Sequence, residues 1–508
     1  MNSLTAKNLG RNLQAALTKS VHFTVQTLFS TPAMPAIIGR VGAIGLFVLL
    51  SGVWLAKTPL WGNNVKIVVK PVVFSALEGR KWVDQCIKIH PEILLLADKD
   101  VRKTEEGTAT AYGPYSEQLF GEVYVEFDRT LMTIHCLRLI LEGSQEAYSL
   151  FTENQTANAK LSFEDFQILH KQGTRLLTSK WGGLTKREVA LAMETALVLG
   201  DIGKSAKARE LFKKYAITAP DHDDFYGEAM KILEKDPKIC VSFARLPPAA
   251  KKLLVKIANL AHYGHITHLE GDASMFRELR ESKIAVEDPL ALSFNLFVHT
   301  ADVAGALGHV NNRSSVVYNE RAHRAMQAMN RAVLTLSDPS KTELEAYTAY
   351  VKERADWLGL DAKDPYDRVL ARIGAMLRLF TPSDGAILKQ ALQKLPAETR
   401  ALIVAELDAS ADAQPTRTPT YMPAVLINLL NNTQLGDNRE ACLAQAIQLG
   451  LPFIARVLKK HKELLAAQAI DPNIPLNFNP IAGIAKSKPH LLSSGEFTID
   501  SEGNIRLK

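Results

Sequence analysis

Sixteen consecutive residues, Val41 to Ala56 (VGAIGLFVLLSGVWLA), carry no charge and are bounded by Arg40 and Lys57. Such a run has to leave water, either in a bilayer or in the centre of a core. A spanning helix takes about 20 residues. Ala36 to Gly39 supply the missing turn if Arg40 snorkels its guanidinium to the headgroups, and Trp54 and Trp61 suit an interfacial anchor. A cleaved signal peptide is disfavoured, because the run starts late and no small-x-small cleavage site precedes Lys57. The expected element is a transmembrane helix over 34–58, with a buried core helix as its rival.

Charge is distributed in keeping with that element. No acidic residue precedes Glu78, while Lys7, Arg11, Lys19, Arg40, Lys57, Lys66 and Lys70 all fall before it. The net charge of +6 therefore belongs to this segment, and the remaining 53 basic and 54 acidic residues leave the body at −1. Within residues 1–33, Leu4, Leu9, Leu13, Leu17 and Val21 recur at near-helical spacing beside the cations. A basic amphipathic segment of this kind lies on an anionic bilayer surface, so membrane lipid is an expected partner. The same composition fits an organelle-targeting presequence. Cations flank the apolar run on both sides, so the positive-inside rule does not orient it. A neutral body lacks the electrostatic footprint of nucleic-acid binding, and no nucleic-acid partner is expected.

Beyond the anchor, 47% apolar and 22% charged residues describe a chain able to bury a core. Cys86, Cys136, Cys240 and Cys442 are scattered without a CxxC pair and read as reduced thiols. Val65 to Phe74 is β-branched and predicts a short strand, confined to an edge by Pro71. Helical patterning dominates the rest. Loops are expected at Glu105 to Glu117, at Pro247 and Pro248, and at Pro415 to Pro423. Phe497–Ile499 and Ile505–Leu507 flank a DSEGN turn and predict a hairpin. No repeat of fixed period is evident. The expected organisation is a basic segment over 1–33, a membrane helix over 34–58, a mixed region over 59–155, helical domains over 156–335 and 336–470, and a tail over 471–508.

The chemically informative stretch runs from about His170 to His309. ALVLGDIGKS, Ala196 to Ser205, follows the helical pattern of Val189, Ala192, Met193, Ala196 and Leu197. GDIGKS is not a phosphate-binding P-loop, because Val198 stands where GxxxxGK[ST] requires glycine and a helix precedes it in place of a strand. LVLGDIGK instead resembles the signature of the HD-domain superfamily, all-helical metal-dependent phosphohydrolases in which an apolar helix ends in His-Asp-Ile-Gly-Lys. Asp201, Gly203 and Lys204 match, and Gly200 replaces the metal-binding histidine. His170 in FQILHKQG occupies the place of the family's upstream histidine, and Asp302 in FVHTADVAGAL that of its closing aspartate. His222 in DHDD and His262, His265 and His268 in AHYGHITH lie between them. The resemblance covers residues 160–330.

This resemblance implies a mainly α fold, a divalent metal ion held by His170, Asp201, His222, His265 and Asp302, and a phosphorylated small-molecule substrate. A divalent ion so held lowers the pKa of bound water and polarises a phosphoryl oxygen, and Lys204 would neutralise a phosphate oxygen. His299, Asp302 and His309 share a face at 100° per residue, so one of those histidines is a candidate to fill the gap left by Gly200. Each residue also has a plainer reading: His170 as a hydrogen-bonded histidine, Asp201 and Gly203 as a helix end and turn, Asp223 and Asp224 as a helix start, and the His262 cluster as a polar helix face. The rival to a membrane-anchored phosphohydrolase is a catalytically inactive helical protein tethered to the membrane as a binding or regulatory module, and Gly200 favours it.

Overall fold

A computed structural model describes residues 76–98, 113–219, 222–258, 260–408 and 417–507. The basic N-terminal segment, the expected membrane helix over 34–58, the expected strand over 65–74 and most of the loop from Glu105 to Glu117 lie outside those residues. The chain divides into two compact units, Met1–Ile67 with Glu117–Glu122, and Val68–Ser116 with Val123–Lys508. Of the first, only 117–122 falls among the described residues. The second holds the expected site residues.

Among the described residues, that second unit is helical apart from one small hairpin. Its main helices run α1 (Ala76–Ile89), α2 (Val125–Glu142), α3 (Phe163–Thr178), α4 (Lys186–Gly200), α5 (His222–Lys235), α6 (Pro248–Ile257), α7 (Tyr263–His268) and α8 (Pro289–Gly305), then α9 (Glu320–Thr335), α10 (Glu343–Leu358), α11 (Pro365–Met376), α12 (Pro382–Gln393), α13 (Ala397–Leu407), α14 (Met422–Leu430) and α15 (Arg439–Ala466). Their boundaries follow local chemistry. Ser162 caps α3 by accepting from the Asp165 amide, and Thr185 and Glu188 form a reciprocal capping box on α4. Gly143 ends α2 at φ 69°, a left-handed conformation that glycine adopts without strain. Pro247 and Pro248, expected in a loop, instead open α6, where a missing N–H at the first helical position is harmless.

The site depends on the crossing of α2 and α8. A Cβ on Gly305 would sit 2.3 Å from the Thr133 backbone nitrogen, so the two helix backbones touch there and glycine is required. α2 is consequently buried on almost every side, and its charged residues Glu126 and Asp128 are buried with it. Asp128 is satisfied by the Ser116 amide at 2.9 Å and the Ser116 hydroxyl.

One apolar core runs from Met132 to Ile505. Residues 123–508 all belong to the second unit, which takes in the positions 335/336 and 470/471. β1 (Phe497–Ile499) and β2 (Ile505–Leu507) form the expected antiparallel hairpin, with Phe497 opposite Leu507. Among the described residues α15 is long and apolar enough to cross a bilayer, at mean hydropathy 1.5, but 56% of its apolar window is buried inside the protein. Pro452 cannot donate to the turn before it, and the helix accommodates this by a π segment over Ala446–Gly450. All four cysteines are free and buried. Burial pushes the Cys86 thiol up to about 12, which makes it a poor nucleophile.

Candidate functional site

α4 buries Val189, Ala192, Met193, Ala196 and Leu197 and stops at Gly200, with Asp201 as the residue that leaves the helix. A single 3₁₀ turn, Ile202–Lys204, then folds the chain back so that the Lys204 Nζ lies 2.6 Å from Asp201 Oδ1. The same ammonium is 3.3 Å from Oε2 of Glu126 in the first turn of α2, and Arg129 Nη1 is 3.1 Å from both Glu126 oxygens. Glu126 and Asp201 also share a hydrogen bond. Gly203 is fixed by this turn, because a Cβ there would meet the His222 carbonyl at 2.5 Å.

The result is a buried cluster of three carboxylates, Glu126, Asp201 and Asp302, around two cations, Arg129 and Lys204. Burial pushes the Asp201 carboxyl up, but the charges of Lys204 and Arg129 and their hydrogen bonds outweigh it and hold the group well below the usual range. Glu126 moves the other way, raised by burial and by the Asp201 charge. The two carboxyls of this coupled pair are thus pushed in opposite directions, Asp201 by its cations and Glu126 by burial and the neighbouring charge.

Asn295, His299 and Asp302 recur at spacings of four and three on α8 and share one face. That face, with the end of α4, the first turn of α5 and the α6–α7 junction, encloses a cavity of about 170 Å³. Its polar wall carries Asp201, Asp223, His262, Asn295, His299 and Asp302, and its apolar wall Leu197, Ile257, Leu260 and Val298. The Asp223 carboxylate lies 3.1 Å from His262 Nδ1 and 3.4 Å from His222 Nε2. Tyr263 donates its hydroxyl to Asn295 Oδ1 at 2.7 Å, and its ring lies 5.2 Å from that of His299. His299 is neutral, lowered to about 4 by burial, and its sealed Nε2 has no hydrogen-bond partner. Asp302 is raised by burial first and by Asp201 second.

Residues 91–474 match DUF6829, described as a family of unknown function. The chain belongs to that family. No curated protein and no solved structure matches it. The DUF6829 region takes in α2 to α8 and therefore every residue of the cluster and the cavity wall.

Within this DUF6829 region the expected ligand set is only partly assembled. Asp201 and Asp302 meet at the cavity, and the charge of His222 is felt at Asp302. His170 is elsewhere: its Nδ1 is 3.0 Å from the Ile140 carbonyl and its ring packs against Gly143. Ile140 lies fourteen residues beyond Glu126 on α2, about 21 Å at 1.5 Å per residue, so His170 cannot share an ion with Asp201. His265 stacks on His262 at 4.9 Å and directs Nε2 toward Glu270, 3.9 Å away, off the cavity wall. His309 falls past the end of α8, which stops at Gly305. Lys204, expected to meet a phosphate oxygen, is committed to Asp201 and Glu126.

Among the described residues no group of three or more His, Cys, Asp or Glu is placed to hold a metal ion. The donor set explains why: the oxygens of Asp201 and Glu126 that would face an ion instead face an ammonium and a guanidinium. Sequence reasoning missed Glu126 and Arg129. Their signal was an i, i+3 charged pair opening EFDRTLMTIHCLRLIL, a helix buried on nearly every side, where charges must find partners.

Proposed function

We propose that the protein is a membrane-tethered binding or regulatory module built on a divergent HD-like helical core, in which the aspartate pair is retained and Lys204 and Arg129 stand in for the metal ion. The observation that carries this reading is the 2.6 Å contact between Lys204 Nζ and Asp201 Oδ1, with Glu126 on the other side of the ammonium. Lys204 and Arg129 contact Asp201 and Glu126 and balance that pair without an external charge. The loss of a first ligand at Gly200 and the placement of His170 support the same reading. The tether is the uncharged run within 34–58.

A phosphohydrolase remains the competing activity, favoured by the meeting of Asp201 and Asp302 at an open cavity. Element analysis of the full-length protein in detergent, together with turnover of bis(p-nitrophenyl) phosphate in added Mn²⁺, separates the two. The binding-module reading expects no stoichiometric divalent metal and no turnover above buffer. A bound ion lost in both Asp201→Asn and Asp302→Asn, with turnover lost in parallel, would overturn it.

A further inference from the structure

The face of α8 that lines the cavity carries two polar groups that the protein leaves unsatisfied. Asp302 accepts no hydrogen bond among the described residues, and His299 Nε2 is sealed from solvent without a partner. The Asp302 carboxylate, partly exposed at the cavity, is the group that a ligand's donor can reach. Three carboxylates, Asp201, Asp223 and Asp302, line the cavity, and no lysine or arginine does. The cations whose charge acts on Asp302, Arg129 and Lys204, are not in the cavity wall and are held by Glu126 and Asp201. The space therefore favours positive charge and repels phosphate or carboxylate.

The remainder of the wall decides which cation. An inorganic ion needs several converging oxygen or nitrogen donors, and no such group is present among the described residues. Leu197, Ile257, Leu260 and Val298 offer instead an apolar surface opposite the carboxylates, and the rings of Tyr226 and Tyr263 add a π surface that tolerates an ammonium. A volume of about 170 Å³ takes a molecule of a few heavy atoms.

We propose that this cavity binds a small organic cation, a protonated primary amine on a short apolar body, with Asp302 as counter-ion and the apolar wall around the carbon chain. The inference rests on the reading that Lys204 and Arg129, and not a metal, neutralise Asp201 and Glu126. The raised Asp302 carboxyl is consistent with it, because an ammonium at this position restores the charge that burial disfavours.

The test is isothermal titration of the full-length protein in detergent and EDTA with butylammonium, 1-butanol and butyrate, which share a carbon chain and differ in charge. Butylammonium is expected to bind at least about tenfold more tightly than 1-butanol, as one charge-assisted hydrogen bond supplies, and butyrate to give no saturable heat. Asp302→Asn, nearly isosteric, is expected to abolish the preference for the amine. Equal binding of amine and alcohol, saturable binding of butyrate, or no saturable binding of the amine would overturn the inference, and the selectivity of the unmodified protein decides this even if the variant fails to fold. Repeating the titration with Mn²⁺ in place of EDTA separates the two layers. Stoichiometric Mn²⁺ binding lost in Asp201→Asn sinks the metal-free reading, whereas a metal-free protein without amine selectivity sinks only the present inference.

Discussion

Lys204 is the residue whose surroundings decide between a metal centre and a self-neutralised cluster. Its ammonium is almost buried, 11% exposed, and held between Asp201 and Glu126. Removing one partner of a buried pair leaves an uncompensated charge, so Lys204→Met is expected to lower unfolding free energy by about 3–5 kcal/mol in urea denaturation. A change below 1 kcal/mol would mean that the ammonium is not neutralising the cluster. Glu270 gives a second residue-scale expectation. Burial raises its carboxyl to about 7 against the partial opposition of Arg372 and Arg378. The folded state then holds a proton that the unfolded chain releases near 4.5, so stability falls as pH rises from about 4.5 to 7. Glu270→Gln removes that loss, and its unfolding free energy should exceed the parent's by up to about 3 kcal/mol at pH 8 and match it at pH 4. Equal behaviour at both pH values would contradict the assignment.

At the scale of elements, helix type and many ends were legible in the sequence, because caps and apolar periodicity are local properties. The capping box of Thr185 and Glu188, the stop at Gly200, the start of α5 beside Asp223 and Asp224, and the C-terminal hairpin all follow from residues within one turn of each other. The partners of Asp201 were not legible, since Glu126 and Arg129 reach it only through the packing of α2, some 75 residues away in sequence. His170 misled for the same reason: spacing along the chain does not say which end of α2 a neighbour meets. Gly200 and Gly305 separate two kinds of glycine. A Cβ at Gly200 has open space, so Gly200→Ala in the last turn of α4 is expected to stabilise by about 0.5–1 kcal/mol. Gly305→Ala forces α2 and α8 apart and is expected to destabilise by about 1–3 kcal/mol, with thermal unfolding as the readout for both.

For the whole molecule, acid sensitivity reports how many imidazoles are locked in the core. His135 and His299 are each lowered to about 4, and His268 to about 3, by burial. All three are neutral when folded and protonate near 6.5 when unfolded, so each removes stability as pH falls from 6.5 toward its folded value. For His135 this amounts to about 2 kcal/mol at pH 5, and His135→Gln is expected to flatten the acid limb of the urea midpoint by that amount. The neutral body and the cationic first 77 residues set a separate expectation for the intact chain. It should stay with membranes through alkaline carbonate extraction, and deletion of residues 34–58 should release it. Release of the intact chain would refute the tether.

In the proposed binding module, side-chain cations, and not a metal, balance Asp201 and its neighbours. Thermal unfolding of the full-length protein in detergent, with EDTA and with Mn²⁺, tests this when Lys204→Met is run beside the parent. An ion bound to the folded state alone stabilises by about 4 kcal/mol at a thousandfold excess over its dissociation constant. The parent is expected to unfold at the same temperature in EDTA and in Mn²⁺, while Lys204→Met, stripped of its ammonium, is expected to gain stability in Mn²⁺. A parent whose unfolding temperature drops in EDTA and is restored by Mn²⁺ would show that the site holds a metal after all.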